Sequence, residues 1–315
     1  MSRGAGSLRR YLLRRLFTSA LVMFGVVTLV FSLQRLIPGD PVEIYLGEQA
    51  TAIDKEALRK DRHLDEPLLV QFGYFLKSVA DGSLGKPLYQ KGRTVSELIL
   101  NRYPATLKLA GAAILVAMLI AIPLGVLAAL RQYTMFDHAA MAASLLGIAV
   151  PVFWLGPILL LIFSVKLGWL PVSGDDEGLR SLILPAITVG AALAAMLSRM
   201  TRASMLEVIR EDYVMLARAK GVPERSVIWK HALRNATIPI LTVLGVQFGA
   251  ALGGAVITEN VFGWPGLGTL LIESIRARDY DVVQGCVLVI SASYVLVNLA
   301  TDLLYAVVDP RVRLG

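Results

Sequence analysis

The chain has 315 residues, 56% of them hydrophobic and only 17% charged, with a net charge of +7. A soluble domain of this length is about half apolar and about a quarter charged. Here the charge is also segregated, with long windows carrying none, which excludes an ordinary soluble domain and places the chain in the membrane class. The excess of Lys and Arg fits basic loops kept inside a cell rather than nucleic-acid binding.

In chain order, Arg9, Arg10, Arg14 and Arg15 precede an apolar run from Leu16 to Leu33. No Ala-x-Ala-like cleavage site follows, and about 18 apolar residues suffice to span a bilayer. The pattern predicts an uncleaved first helix over residues 11–37. In hydrocarbon every backbone N–H and C=O needs a partner within its own segment, so apolar runs of about 20 residues read as helices. Further spans are expected over 106–130, 139–167, 182–200, 238–258 and 282–307. The expected fold class is therefore an all-α polytopic membrane protein with six transmembrane helices.

Flanking charge sets the expected orientation. The tail up to Arg15 has five Arg and no acid, and residues 199–235 have eight Lys or Arg against four acids. The turn 168–180 has one Arg and three acids, and 259–281 has two Arg and four acids. Both termini and the long charged segment are thus expected in the cytoplasm. The first loop, 38–105, is expected to form a small ordered periplasmic cap. The expected units are 1–37 (tail and first span), 38–105 (cap), 106–307 (membrane core, with the charged segment at about 205–234) and 308–315 (cytoplasmic tail).

Within the spans, Ala113, Ala117, Ala121, Gly125 and Ala129 recur every fourth residue, and Gly245, Gly249 and Gly253 form a similar stripe. Small side chains let helix backbones approach closely. Pro123 and Pro151 each remove a backbone donor and are candidates for kinks. No Lys, Arg, Asp or Glu stands in the middle of spans two to five, which argues against an ion-coupled secondary carrier. Arg35 and Asp302, near span ends, read as interfacial. The single cysteine, Cys286, reads as core filler and excludes an intrachain disulfide. His63, His138 and His231 fall in expected loops without a His-Glu-x-x-His pattern, so neither a catalytic centre nor a metal site is expected. There is no phosphate-binding loop either. At its nearest approach, Gly85-Lys86, Ala80 replaces the first Gly and Pro87 the Ser or Thr.

The segment 198–239 carries most of the functional signal. From Met205 to Lys220, apolar residues recur at helical spacing (Leu206, Ile209, Tyr213, Leu216). Gly221 is placed to stop that helix, and Pro223 suits the first turn of the next, expected over 224–234. This predicts a short helix–turn–helix. Its alternatives are an amphipathic helix lying on the inner leaflet or a surface that docks into a protein groove.

The stretch DYVMLARAKGVPERSVIWKHALRNATIPI resembles the coupling loop of binding-protein-dependent ABC importer permeases. That loop carries Glu-Ala-Ala, three residues, then Gly. Met215 and Leu216 stand here for the first two, while Ala217 and Gly221 match. The departures resemble the B-type permeases of the dipeptide, oligopeptide, glutathione and nickel branch. So do Ile37 to Pro41, Arg102 to Leu107, Gly168 to Gly174, Glu259 to Gly268, Arg278 to Tyr280 and Asp309 to Arg313, in that order.

The resemblance implies a non-enzymatic pore subunit that imports peptides across the bacterial inner membrane by alternating access. Glutathione or nickel-complex import is the alternative. It also implies a homologous C-type permease, two ATP-binding subunits that use ATP and Mg, and a periplasmic or lipid-anchored substrate-binding protein. This chain would bind no cofactor, and would contact lipid but no nucleic acid. The residues expected at the ATPase contact are Ala217, Arg218, Ala219, Lys220, Gly221, Val222, Pro223 and Arg225. Ser144 and Gln247 are polar candidates for the translocation path. Phe262, Trp264, Pro265 and Gly266 are candidates for a loop at the pore mouth or against the binding protein.

Overall fold

A computed structural model describes residues 3–36, 41–46, 50–90 and 92–308, and among them the only regular structure is helix. The chain opens with α1 (Arg3–Leu36), then the short cap helices α2 (Pro41–Leu46), α3 (Ala52–Asp61) and α4 (Leu68–Ala80). Next comes α5 (Val95–Leu130), started by a capping box in which Thr94 and Glu97 satisfy each other's free N–H groups. Then follow α6 (Met135–Ala149), α7 (Val152–Leu159, extended by a π-helical segment over Leu160–Lys166) and α8 (Leu179–Ile209). The chain continues with α9 (Asp212–Ala219), α10 (Glu224–Ser226), α11 (Leu233–Phe262), α12 (Leu267–Arg276) and α13 (Tyr280–Val308).

Among the described residues, five helical runs are long and apolar enough to cross a bilayer: Leu13–Leu33, Val95–Leu130, Leu179–Ile209, Glu224–Phe262 and Tyr280–Thr301. The third expected span, 139–167, is broken. Met135–Ala149 and Val152–Lys166 meet at 100°. Val150 there is extended, as the residue before a proline prefers, and Pro151 restarts the chain as the cap of α7. By contrast, Pro104 and Pro123 lie inside α5 and Pro185 inside α8 without ending either helix.

Three further expectations need correction. The second span begins at Val95, eleven residues before 106, because the capping box and apolar Val95, Leu98 and Ile99 carry the helix into the cap. The fourth span runs on to Ile209, so Leu206 and Ile209 belong to α8 rather than to a separate helix starting at Met205. The helix after Pro223 is continuous with the fifth span, through a π-helical segment over Val227–Ala232.

The core lies between α5 and α8, the most extensively paired helices. A Cβ at Gly125 would stand 2.6 Å from the Ser198 carbonyl, and one at Gly190 2.7 Å from that of Ala113. The pairing of 113 with 190 and of 125 with 198 makes the two helices parallel. The alanine stripe of α5 thus faces α8, while Gly245 and Gly249 of α11 face Thr301 and Tyr294 of α13. Antiparallel to α13 runs α1: Phe31 packs in one cluster with Leu288 and Phe75 of α4. Arg35, at the end of α1, reaches Gln71 of α4 with a 2.9 Å hydrogen bond. The cap therefore sits over the end of α1 and the start of α13, and α9 lies at the opposite end.

Gly125→Val should lower the stability of the purified chain by about 1–3 kcal/mol, the usual effect of overpacking. Gly111→Val on the same helix, where a Cβ meets nothing within 4 Å, should leave it nearly unchanged. Thermal unfolding midpoints in detergent compare the two.

Candidate functional site

Helix α9 ends in a closed backbone turn. Gly221 adopts φ +75°, the left-handed conformation that glycine enters without penalty. Gly221 N–H donates to Arg218 O (2.9 Å) and Val222 N–H to Ala217 O (3.2 Å), the two bonds of a Schellman motif. Across the turn, Arg218 Nη2 donates to Glu224 Oε1 at 2.8 Å, a bond that raises the arginine's pKa and keeps it charged. Pro223 then opens α10. The result is a rigid elbow.

Val214, Val227 and Ile228 are buried and seat the elbow on the helix ends. Its outer surface carries Arg218, Ala219, Lys220, Gly221, Pro223 and Arg225, all exposed, with Ala217 and Val222 half-buried. Beside them stand the exposed apolar side chains Met215, Leu216 and Trp229. All eight residues expected at the ATPase contact thus lie together on this elbow. A Cβ at Gly221 would point into open space.

The elbow is tied to its neighbours. Asn235 Nδ2 donates to Tyr213 Oη at 2.7 Å, joining α9 to the start of α11. Arg202 on α8 grips Asp137, which is 2% exposed, through two 2.6 Å bonds. Asp137 also accepts from Tyr133 N–H (3.0 Å), and Gln132 accepts from Arg210 (3.2 Å). The turn between α5 and α6 is therefore fixed to the end of α8. Ser144 is buried against α8, its hydroxyl shared with Ser198 (2.8 Å) and Ala140 O (2.9 Å), so it serves helix packing in this conformation. Gln247 is half-buried on α11.

Residues 121–314 match the family described as binding-protein-dependent transport system inner membrane component, and residues 8–110 match its N-terminal family. The chain belongs to this family. A di/tripeptide transport system permease protein DppB of Pseudomonas aeruginosa is 44% identical, with 96% of this chain and 98% of the relative covered. A glutathione transport system permease protein GsiC of Pectobacterium atrosepticum is 43% identical with the same coverage. Among solved structures, an inward-facing MetNI methionine ABC transporter chain shares the fold. Its TM-score is 0.57 at 18% identity, over 67% of this chain and 96% of that one.

In this transport-system component, the loop after α11 leaves Gly263 exposed and turns most of its other residues inward. Phe262 and Trp264 are each 3% exposed, Gly266 is buried and Pro265 is half-buried. Trp264 Nε1 donates to Ala105 O at 2.9 Å. Beneath them lies Glu259, wholly buried, the first residue of the Glu259–Gly268 motif and one of the acids counted in 259–281. Its carboxylate accepts from Thr106 Oγ1 (2.7 Å), Gly268 N–H (2.6 Å) and Thr269 N–H (3.3 Å), and so caps the start of α12. Thr106 Oγ1 in turn accepts from Leu267 N–H at 2.8 Å. Gly266 and Gly268 are required because a Cβ at Gly266 would strike the Glu259 carboxylate and one at Gly268 the Val256 backbone. The acid-plus-glycine spacing was visible in the sequence, but its partner Thr106, 153 positions away, was not.

Thr106→Val removes both bonds and leaves Leu267 N–H unpaired in the interior. It should destabilise the chain by about 1–3 kcal/mol. The change should appear as a lower unfolding midpoint and faster proteolysis within 259–281.

Proposed function

We propose that this chain is the pore-forming permease subunit of an ATP-driven importer for short peptides, residing in the bacterial inner membrane. It would pair with a homologous permease, two ATP-binding subunits and a substrate-binding protein on the cap side. Relatives named for di/tripeptide and dipeptide transport (44% and 39% identical) support the peptide reading. Glutathione, itself a tripeptide, is the second reading, favoured by relatives named for it at 41–43% identity. ATP and Mg would be used by the partner subunits, and this chain would contribute no catalytic residue.

The observation that carries the proposal is the braced elbow at the end opposite the cap, with apolar and basic groups outward. Moving a two-state pore from about 1:99 to about 99:1 takes about 5.5 kcal/mol of differential binding. An exposed ion pair supplies only about 0–1 kcal/mol. The load therefore needs a packed contact, for which Met215, Leu216 and Ala217 offer apolar surface around a turn that does not yield.

Gly221→Asp tests this. Aspartate is among the side chains that best tolerate the left-handed conformation, and its Cβ meets nothing within the chain. The variant should insert and fold normally, yet lose peptide uptake and substrate-stimulated ATP hydrolysis when reconstituted with the partner subunits. Wild-type uptake by Gly221→Asp would place the ATPase contact elsewhere.

A further inference from the structure

Within the cap, α3 and α4 present opposite surfaces. Six of the ten residues of α3 are charged, as expected of a helix in water. Of the thirteen residues of α4, only Lys77 is charged. Gln71 and Phe75 are buried, and the exposed face carries Leu68, Leu69, Val70, Gly73, Tyr74 and Lys77. Leu69 is 85% exposed, and a Cβ at Gly73 would meet nothing within 4 Å. An apolar helix of about 10–14 residues is too short to span a bilayer and belongs in a protein core or along a membrane surface. This face is not in a core.

The position of α4 selects the membrane surface. Its inner side lies on α1 where the apolar run Leu13–Leu33 ends: the Phe31 ring is 5.1 Å from that of Phe72 and 5.8 Å from that of Phe75. Gln71 Oε1 accepts from Arg35, just past that run, and the Arg35 guanidinium lies 4.2 Å from the centre of the Phe31 ring. Helix α4 is therefore level with the edge of the hydrocarbon. At the same level Leu29 and Leu33 of α1 are exposed, and on a helix that crosses the bilayer such side chains face lipid. Tyr74 and Lys77 complete the pattern, since a ring with a polar tip and a long basic side chain both bridge hydrocarbon and headgroups.

We propose that α4 is an interfacial helix, lying in the surface of the bilayer leaflet on the cap side. Leu68, Leu69 and Val70 enter the lipid chains, and Lys77 reaches the headgroups. The partner of this face is lipid, not protein. The cap is thus held to the bilayer as well as to α1 and α13.

The experiment uses the full chain in vesicles of phosphatidylcholine and phosphatidylglycerol, with one nitroxide label on an introduced cysteine. The native cysteine, Cys286, is fully buried, so the wild-type chain is the labelling blank. Leu69→Cys reports on α4, Ile53→Cys on the face of α3 in water and Leu29→Cys on the face of α1 in lipid. Collision rates are read with oxygen, which concentrates in lipid, and with a water-soluble nickel complex. The oxygen-to-nickel ratio at 69 should exceed that at 53 several-fold and approach that at 29. If Leu69→Cys does not insert, Val70→Cys on the same face gives the same reading. A ratio at 69 equal to that at 53 overturns the proposal and leaves the face in water, open to a soluble partner. Low rates with both reagents at 69 also overturn it, and assign the face to a second copy of this chain. The measurement needs no partner subunit and no transport, so it stands or falls apart from the importer reading.

Discussion

At Gly125 and at Gly190 there is no room for a methyl group between α5 and α8. Lipid offers apolar helices no hydrophobic reason to leave it, so close backbone approach is the main source of cohesion between them. The parallel α5–α8 pair is where this chain concentrates it. Ala113, Ala117 and Ala121 line the seam, and Met205, Ile228 and Ala236 continue the same cluster down to the elbow. The elbow is thus seated on the packed core, not on a loop.

The two ends of the bundle are held by different chemistry. At the elbow end, backbone bonds close the turn at Gly221 and charge pairs brace it: Arg218 with Glu224, and Arg202 with Asp137. At the cap end, long-range polar contacts do the joining. Glu259 ties α5 to α12, and Asp279, its pKa raised by burial, accepts from Leu88 N–H at 2.7 Å. Arg62 and Asp281 pin the cap to α13. A push at the elbow would meet helices that are stitched together at their far ends.

Composition and apolar runs were enough to read a helical membrane protein, and the Gly221–Pro223 pair was enough to place the elbow. What failed in the sequence reading failed for physical reasons. Residues Arg210 and Glu211 separate α8 from α9 without glycine or proline, so no local signal marks that break. Pro104, Pro123, Pro151 and Pro185 look alike as text, yet only Pro151 stands at a helix break. Ser144, a polar candidate for the translocation path, also fits a helix–helix hydrogen bond by sequence, and its hydroxyl meets Ser198. Glu259 gave the opposite difficulty. Its meaning lies in Thr106, distant in the chain, and periodicity has no access to such a pair.

The break at Pro151 carries a mechanical implication. A straight rod delivers thrust along its own axis, but α6 and α7 meet at 100°. Any force applied along α6, whose Asp137 is held by Arg202, would act across the axis of α7 rather than along it. Gly156 of α7 lies against Phe262 and Thr188, so the bend joins the brace beside the elbow to the packing at the end of α11.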